Sequence, residues 1–475
     1  MVTHLSGKVF LVGAGPGDPG LITIRGRDLV ARADVIVHDQ LGAPSFLALA
    51  RPEAELIDVG KRAARHTMPQ EEINRILVEK AREGKLVVRL KGGDSFIFGR
   101  GGEELEELHR NGIPFEVIPG ISSSIGGPAY AGIPLTHRSC TTALAIVTGH
   151  EADLKEASSI PWAGLAGINT VVFLMGVGQL PHIVSCLHDA GKTLDTPVAI
   201  IENATMPRQR TLTGTMANIV DRAKSADIKP PAIIVFGQVV EFQERFAWFD
   251  KRPLHGRTIV VTRATAQAGG LSDQLRELGA EVILCPTINV QAIDPNPKFD
   301  TFLKHLHDYH SLVFTSVNGV EIFWNQLSKR GLDMRSLAGR RIVCVGPTTA
   351  QAFRDRGILP DVIPENFVAE SLLPSFSGLP PVRVAILQAS EARDILPKIL
   401  TENGHQVDVF PMYVTTREKD DLSVVSGLLQ DGRIDAVTFT SSSTVDGFVQ
   451  AVDQAIVDIK KIPAMVIGPI TAQTC

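Results

Sequence analysis

The stretch that most constrains this chain lies near its start. An apolar run, Val9 to Val12, breaks at once into Gly13-Ala14-Gly15-Pro16-Gly17-Asp18-Pro19-Gly20. An apolar run cut off by so many glycines and prolines reads as a buried strand ending in a tight loop. A helix is expected from about Leu21 to Ala33, and Val35 to Val37 then forms a second apolar strand whose carboxyl end delivers Asp39. Strand, glycine loop, helix, strand is the opening unit of an α/β fold with a parallel sheet, and such sheets bind ligands at the carboxyl ends of their strands.

Gly15, Gly17 and Gly20 satisfy G-x-G-x-x-G, and Asp39 follows at about the distance of a ribose partner, so a dinucleotide site is one reading. The residues between the glycines argue against it. Pro16 and Pro19 lack the N–H groups that such a loop aims at a pyrophosphate, and Asp18 sets a carboxylate where the phosphate charge would be. A neutral or cationic, nucleoside-like ligand fits better, with a purely structural glycine turn as the third reading.

The length of 475 residues allows two to four domains, and 44% hydrophobic with 5% aromatic residues is ordinary for soluble α/β proteins. A net charge of −5 gives no basic stripe, which disfavours nucleic acid as a partner. Five cysteines, Cys140, Cys186, Cys285, Cys344 and Cys475, are scattered without a C-x-x-C pair. They suggest reduced thiols in a cytoplasmic protein, and no metal site is expected. No apolar run approaches the length of a membrane span, and no secretory leader is expected.

Further strand ends carry the candidate chemistry. Ala54 to Gly60 reads as a strand running into Lys61-Arg62-Ala63-Ala64-Arg65-His66, a cationic cluster suited to a substrate with several carboxylates. Leu86 to Leu90 runs into Lys91 to Glu104, 14 residues with five glycines, more than a turn requires. There Gly92 and Gly93 let backbone approach a ligand, and Asp94 can accept hydrogen bonds. Phe115 to Ile118 ends in Pro119-Gly120-Ile121-Ser122-Ser123-Ser124, whose hydroxyls suit either a helix cap or a ligand. His137 and His150 are taken as structural. A second lobe is expected after about residue 150, with Met175-Gly176 and Asn203-Ala204-Thr205 at its strand ends. Residues 246–256, FAWFDKRPLHG, read as a linker before a new α/β series opens at Ile259.

VGAGPGDPG, HDQL, VGKR, RLKGGDSFIFGRGGEE, PGIS, AYAGIPLTHR, FLMG and PPAIIVFGQVV resemble uroporphyrinogen-III C-methyltransferase over residues 7 to 245. The resemblance implies a two-lobed tetrapyrrole methylase fold, S-adenosyl-L-methionine as cofactor, and a homodimer formed through this domain. It implies double methylation of uroporphyrinogen III to precorrin-2, on the way to sirohaem or cobalamin. It assigns cofactor contacts to Pro16, Gly92, Gly93, Asp94, Ile97, Ser122, Ser123, Met175 and Ala204. Asp39 becomes the proton acceptor and Lys61 the proton donor, with Arg62, Arg65 and Arg100 as partners for substrate carboxylates. Ser95 stands where the family has proline, His38 where it has tyrosine, Ser122-Ser123 where threonine and alanine are common, and Ala204 where glycine is common.

The back half, in GRTIVVTRATAQAGG, LVFTSVNGVEIF, RIVCVGPTTAQAF, DAVTFTSSSTVDGF and MVIGPITAQTC, resembles uroporphyrinogen-III synthase. That family closes hydroxymethylbilane into uroporphyrinogen III. The resemblance implies a two-lobed α/β domain over 257–475, one lobe being 257–290 with 415–475 and the other 291–414. It makes Tyr413 the residue that assists the leaving group, and Arg263, Thr315, Ser316, Thr348, Thr440 and Ser441 substrate contacts. Gln388-Ala389-Ser390 departs from an arginine-glycine pair common there. The family pattern continues past the helix begun at IGPITA, so the synthase half is expected to be unstable or inactive as written. Two alternatives stay open: a tetrapyrrole-binding module without synthase activity in the back half, and a nicotinamide-dependent dehydrogenase, which would bind NAD(H) saturably.

Overall fold

The structure, a computed structural model, describes all residues except 1–6, 40–43, 61–67, 150–158, 263–264, 366–368, 393, 418–422 and 453–460. The chain divides into two compact units, Met1–Arg257 with Asp273–Glu281, and Thr258–Ser272 with Val282–Cys475.

In the first unit, strands β1 (Lys8–Gly13), β2 (Val35–His38), β3 (Glu55–Asp58), β4 (Leu86–Lys91) and β5 (Phe115–Ile118) form one sheet in the order β3-β2-β4-β1-β5. Every pairing in it is parallel. Alternate residues supply its two faces, which is why the strands read as unbroken apolar runs. Val9, Leu11, Val35, Val37 and Val87 meet Ile73, Leu77 and Val78 of helix Gln70–Arg82 on one side. Phe10, Val12, Ile36, Val88 and Leu90 meet Leu29 and Val30 of helix Ile24–Arg32 on the other. The chain passes from β1 to β2 but leaves a slot that β4 fills. The loops after β1, β4 and β5 therefore emerge side by side, with the end of β2 next to β4.

A second sheet combines β6 (Leu144–Thr148), β7 (Thr170–Leu174), β8 (Pro197–Glu202), β9 (Arg210–Thr215) and β10 (Ala232–Phe236) in the order β6-β7-β10-β8-β9. Only β6 with β7 is parallel; β10 pairs antiparallel with both neighbours, and β8 with β9. The lobe boundary expected near residue 150 is thus corrected: β6 belongs to the second sheet. A five-residue apolar strand carries no local sign of which sheet it joins. Residues 246–256 are not a bare linker either, because Phe249 is buried and packs edge-on against Trp248 and at a tilt against Tyr130.

The second unit's strands are β11 (Thr258–Val261), β12 (Glu281–Leu284), β13 (Ile288–Ala292), β14 (Ser311–Phe314), β15 (Arg341–Cys344), β16 (Arg383–Ala389), β17 (Gln406–Arg417), β18 (Ala436–Phe439) and β19 (Ala464–Val466). They form two sheets, β12-β11-β18-β19 and β13-β17-β16-β14-β15. The first draws strands from both ends of this stretch, the second only from its middle. β13 lies in the second sheet, antiparallel to β17, so a lobe boundary at 290 would cut it in two. The larger sheet has Leu312, Phe314, Ala385 and Leu387 in one core and Val313, Val343, Val384 and Ile386 in another.

Candidate active sites

The loops after β1, β4 and β5 lock together through glycine backbone. Gly93 N–H donates to Gly15 O at 2.7 Å, and Gly15 N–H to Gly93 O at 3.2 Å. A Cβ on Gly120 would stand 2.2 Å from Gly93 O, and one on Gly13 would stand 2.5 Å from Gly120 N. No side chain fits at either position, so the glycines bring three strand ends into direct backbone contact. Asp94 fastens the same junction: Oδ2 accepts from Gly120 N (2.9 Å) and Oδ1 from Phe96 N (2.8 Å). Ser122 caps helix Ser123–Ala131, its Oγ accepting from Ser124 N and bonding Ser124 Oγ at 2.8 Å.

Opposite these loops, the ends of β7 and β8 carry Met175 (φ +55°), Asn203 (φ +48°) and Thr205 (φ +68°) in the left-handed region. Non-glycine residues hold such backbone only where surrounding contacts over-determine it, and they cluster at ligand sites. Met175 is exposed and Ala204 is buried. The two sides meet where Asp18 N–H donates to Thr205 Oγ1 at 3.0 Å. Asp18 is internally satisfied as well: Oδ1 accepts from Gly20 N and Oδ2 from the Tyr130 hydroxyl at 2.7 Å. Pro16 lies on the same loop, and a Cβ on Gly126 would come within 2.8 Å of its Cγ.

Asp39 leaves β2 beside a buried ionic cluster. Its Oδ2 lies 3.5 Å from Arg89 Nη2, while Oδ1 is buried with no hydrogen-bond partner among the described residues. Arg89 Nε lies 3.1 Å and Lys91 Nζ 2.8 Å from the same oxygen of Glu104, whose side chain is wholly buried. Burial, and next the neighbouring Arg89 cation, push the Lys91 ammonium below its ordinary pKa, with Glu104 opposing. These cluster residues were not among the expected site residues. One signal for them is present in the sequence: Arg89 and Lys91 interrupt the central strand LVVRLK, and charges buried there require a partner.

Lys61, Arg62 and Arg65, expected beside Asp39, lie outside the described residues, as do His150 and Arg263. Arg100 (φ +58°) is exposed and paired with Glu103 at 3.1 Å. Ile97 is exposed between Phe96 and Phe98, which are exposed too. His137 bonds Ser139 Oγ at 2.7 Å and packs on Phe242.

In the second unit the sites again fall at strand ends. Ser316 follows β14 and caps helix Val317–Lys329 by accepting from Gly319 N. Its Oγ also bonds the Tyr413 hydroxyl at 2.9 Å. Tyr413 is brought there by an irregularity in the β16–β17 ladder, where Gln388 pairs with Pro411 but Ala389 pairs with Tyr413. Such an extra residue re-aims a strand's side chains. Thr315 precedes Ser316, and Thr348 lies in the first turn of helix Pro347–Arg354. Thr440 and Ser441 belong to the other sheet's strand end, where Ser441 forms a capping box with Thr444.

Residues 8–220 match the family described as Tetrapyrrole (Corrin/Porphyrin) Methylases, and residues 270–475 match Uroporphyrinogen-III synthase HemD. The porphyrin biosynthesis protein HemD of Ruminiclostridium josui is 42% identical over 98% of this chain and 93% of its own length. The uroporphyrinogen-III C-methyltransferase of Methanocaldococcus jannaschii is 52% identical over 50% of this chain and 98% of its own. Among solved structures, uroporphyrin-III C-methyltransferase from Thermus thermophilus complexed with S-adenosylhomocysteine is 38% identical, covering 50% of this chain and 99% of that one, with a TM-score of 0.43. The chain belongs to the fused porphyrin-biosynthesis proteins in which a uroporphyrinogen-III C-methyltransferase of the tetrapyrrole methylase family is followed by a uroporphyrinogen-III synthase.

Proposed function

We propose that the chain performs two consecutive steps of tetrapyrrole assembly. The back half closes hydroxymethylbilane to uroporphyrinogen III, and the front half methylates two pyrrole carbons of that ring to give precorrin-2. The observation that carries the methylation step is Asp39, a carboxylate with one oxygen buried and without a hydrogen-bond partner among the described residues, set beside three interlocked glycine loops.

The residues present fit S-adenosylmethionine. Gly93 (φ +69°) leaves a recess in which a missing Cβ would stand 3.7 Å from Ser123 N and 3.8 Å from Ser122 Cα. The neighbouring prolines and Asp18 offer no pyrophosphate cradle, which suits a ligand without phosphate. Pro16, Gly92, Gly93, Asp94, Ile97, Ser122, Ser123, Met175 and Ala204 would hold it, Asp94 and Ser122 mainly by shaping backbone, since their side chains are engaged internally. Once bound, the cofactor supplies a methyl group on a positively charged sulfur.

The chain's own groups do the rest. The methylated carbon, already substituted, becomes quaternary; Asp39 stabilises positive charge growing on the pyrrole and accepts the proton that the cationic ring sheds from its nitrogen or an adjacent bridging carbon. Arg89 holds the Asp39 carboxylate in place, and Lys61 returns a proton. Arg62, Arg65 and Arg100 pair with the ring's carboxylates, where charge-assisted bonds fix orientation. In the back half the Tyr413 hydroxyl, positioned by Ser316, assists departure of the bilane hydroxyl. Arg263, Thr315, Thr348, Thr440 and Ser441 bind substrate carboxylates. No helix among the described residues is long and apolar enough to cross a membrane. A cytoplasmic homodimer joined through the front half completes the reading, and sedimentation velocity checks the assembly.

Asp39→Asn tests the central role. Methyl transfer is expected to fall by about 10² or more, the usual worth of a general base, while S-adenosylhomocysteine binding stays within about twofold. Full methylation by this variant would remove Asp39 as proton acceptor.

A further inference from the structure

The turn Asn203–Gln209 closes the second lobe's side of the cofactor site and places two non-glycine residues, Asn203 and Thr205, in the left-handed region. Ala204 sits between them. Backbone of this kind relaxes unless bonds from outside the turn hold it. Asn203 N–H donates to Pro231 O at 2.9 Å, and the rest of the turn is bonded by residues 246–256 and by Asp18. Gly256 N–H donates to Pro207 O at 2.9 Å, and His255 Nε2–H to Gln209 O at 2.9 Å. Asp250 Oδ1 accepts from Gln209 Nε2 at 2.8 Å. The other end of the Gln209 amide, Oε1, accepts from Thr205 N at 2.8 Å. Gln209 and Thr205 are 2% and 1% exposed, so neither bond is readily replaced by water.

A second route leads from the same segment to the opposite lobe. The Trp248 and Phe249 rings pack against Tyr130 at 5.0 and 4.8 Å, and Trp248 Nε1 donates to Ala129 O. The Tyr130 hydroxyl, held by that packing, donates to Asp18 Oδ2. Asp18 lies two residues after Pro16 and donates its N–H to Thr205 Oγ1. Both routes therefore end on the Asp18–Thr205 hydrogen bond, which joins the Pro16 loop to the Ala204 turn.

We propose that residues 246–256 form a positioning strap for the methyl-donor site, fixing the Ala204 turn through Gln209 and the Pro16 loop through Tyr130. The proposal rests on the reading above that the donor lies between Pro16 and Ala204. The segment that joins the two halves in sequence is then part of the framework of the methyltransferase, and positions groups on both sides of its cofactor.

The test measures S-adenosylhomocysteine binding to the full chain by calorimetry. Gln209→Glu keeps an acceptor for Thr205 N–H but sets a second carboxylate against Asp250, and is expected to weaken binding about tenfold, a coupling typical of directly bonded neighbours. Adding Asp250→Asn restores the bond with its donor reversed, and binding should return to within about threefold of the unmodified chain. That rescue distinguishes positioning from general damage. Tyr130→Phe, which removes a single oxygen, tests the second route and should weaken binding about threefold. Unchanged binding in Gln209→Glu, or a double variant as weak as the single one, overturns the strap. If Gln209→Glu fails to fold, unchanged binding in Tyr130→Phe overturns it instead. An unmodified chain that ignores S-adenosylhomocysteine overturns the cofactor reading itself.

Discussion

Ser95 stands fully buried after Gly92-Gly93-Asp94 with a hydroxyl that finds no hydrogen-bond partner among the described residues. The family's proline would bring no such group, so this departure, visible in the sequence, acquires a physical cost only once the burial is known. Ser95→Ala removes the orphaned hydroxyl and is expected to stabilise the front half by about 1 kcal/mol. Calorimetric unfolding checks it, and a destabilised variant contradicts it. Titration offers a second check at this scale. The chain has three tyrosines, Tyr130, Tyr309 and Tyr413. Burial first, and then a hydrogen bond to Asp18 or Asp408, raises the Tyr130 and Tyr309 phenols above their ordinary value. A raised folded pKa means that the unfolded chain releases these protons first. The contribution of these contacts to stability is therefore present below about pH 10, tyrosine's ordinary pKa, and is lost as pH rises above it. Phenolate absorbance should show both tyrosines still protonated beyond that pH until unfolding begins. Ionisation of Tyr130 and Tyr309 at the ordinary value in a folded chain contradicts the two contacts. Asp39 was legible from its place at a strand end. Arg89 and Glu104 were not assembled into the cluster, because the sequence does not show that β4 lies beside β2 or that the helix Gly101–Arg110 turns Glu104 inward.

At the scale of elements, the strand ends were the readable part: glycine and proline punctuate β1, β4 and β5 in the sequence, and all three ends converge. What punctuation leaves out is the closeness of the approach. Gly120 is one glycine of a Pro-Gly pair in the sequence, yet its Cα faces Gly93 O so tightly that a methyl group has no room. Gly120→Ala must move the β4 or β5 loop. It is expected to destabilise the front half by about 1–3 kcal/mol, the usual cost of overpacking, and to weaken S-adenosylhomocysteine binding at least about tenfold. Thermal unfolding and calorimetry together check this, and unchanged values in both contradict the junction. The short strand β6 shows the opposite limit. Its apolar pattern gave its type but not its sheet, since pairing with β7 is a long-range choice that no local period encodes. The turn residues Asn203 and Thr205 were legible as a strand end, whereas their left-handed backbone was not, because neither is a glycine.

For the whole molecule, the motifs indicated two α/β enzymes in one chain, and the family matches over residues 8–220 and 270–475 agree. The strand assignments divide the chain as sheets do: one parallel, one mixed, and two more built from the back half. The segment between the halves was harder to place. Its aromatic and proline content reads as an interruption of the α/β pattern, and only the contacts of Trp248, Phe249 and Asp250 with Tyr130 and Gln209 reveal it as a packed part of the front unit. The central claim is that one chain closes a linear tetrapyrrole and then methylates the ring. Supplying the intact chain with hydroxymethylbilane and methyl-labelled S-adenosylmethionine measures it most directly. The account predicts a macrocycle carrying two labels per molecule, formed without added uroporphyrinogen III. A product with no label, together with saturable nicotinamide dinucleotide binding to the front half, would contradict it.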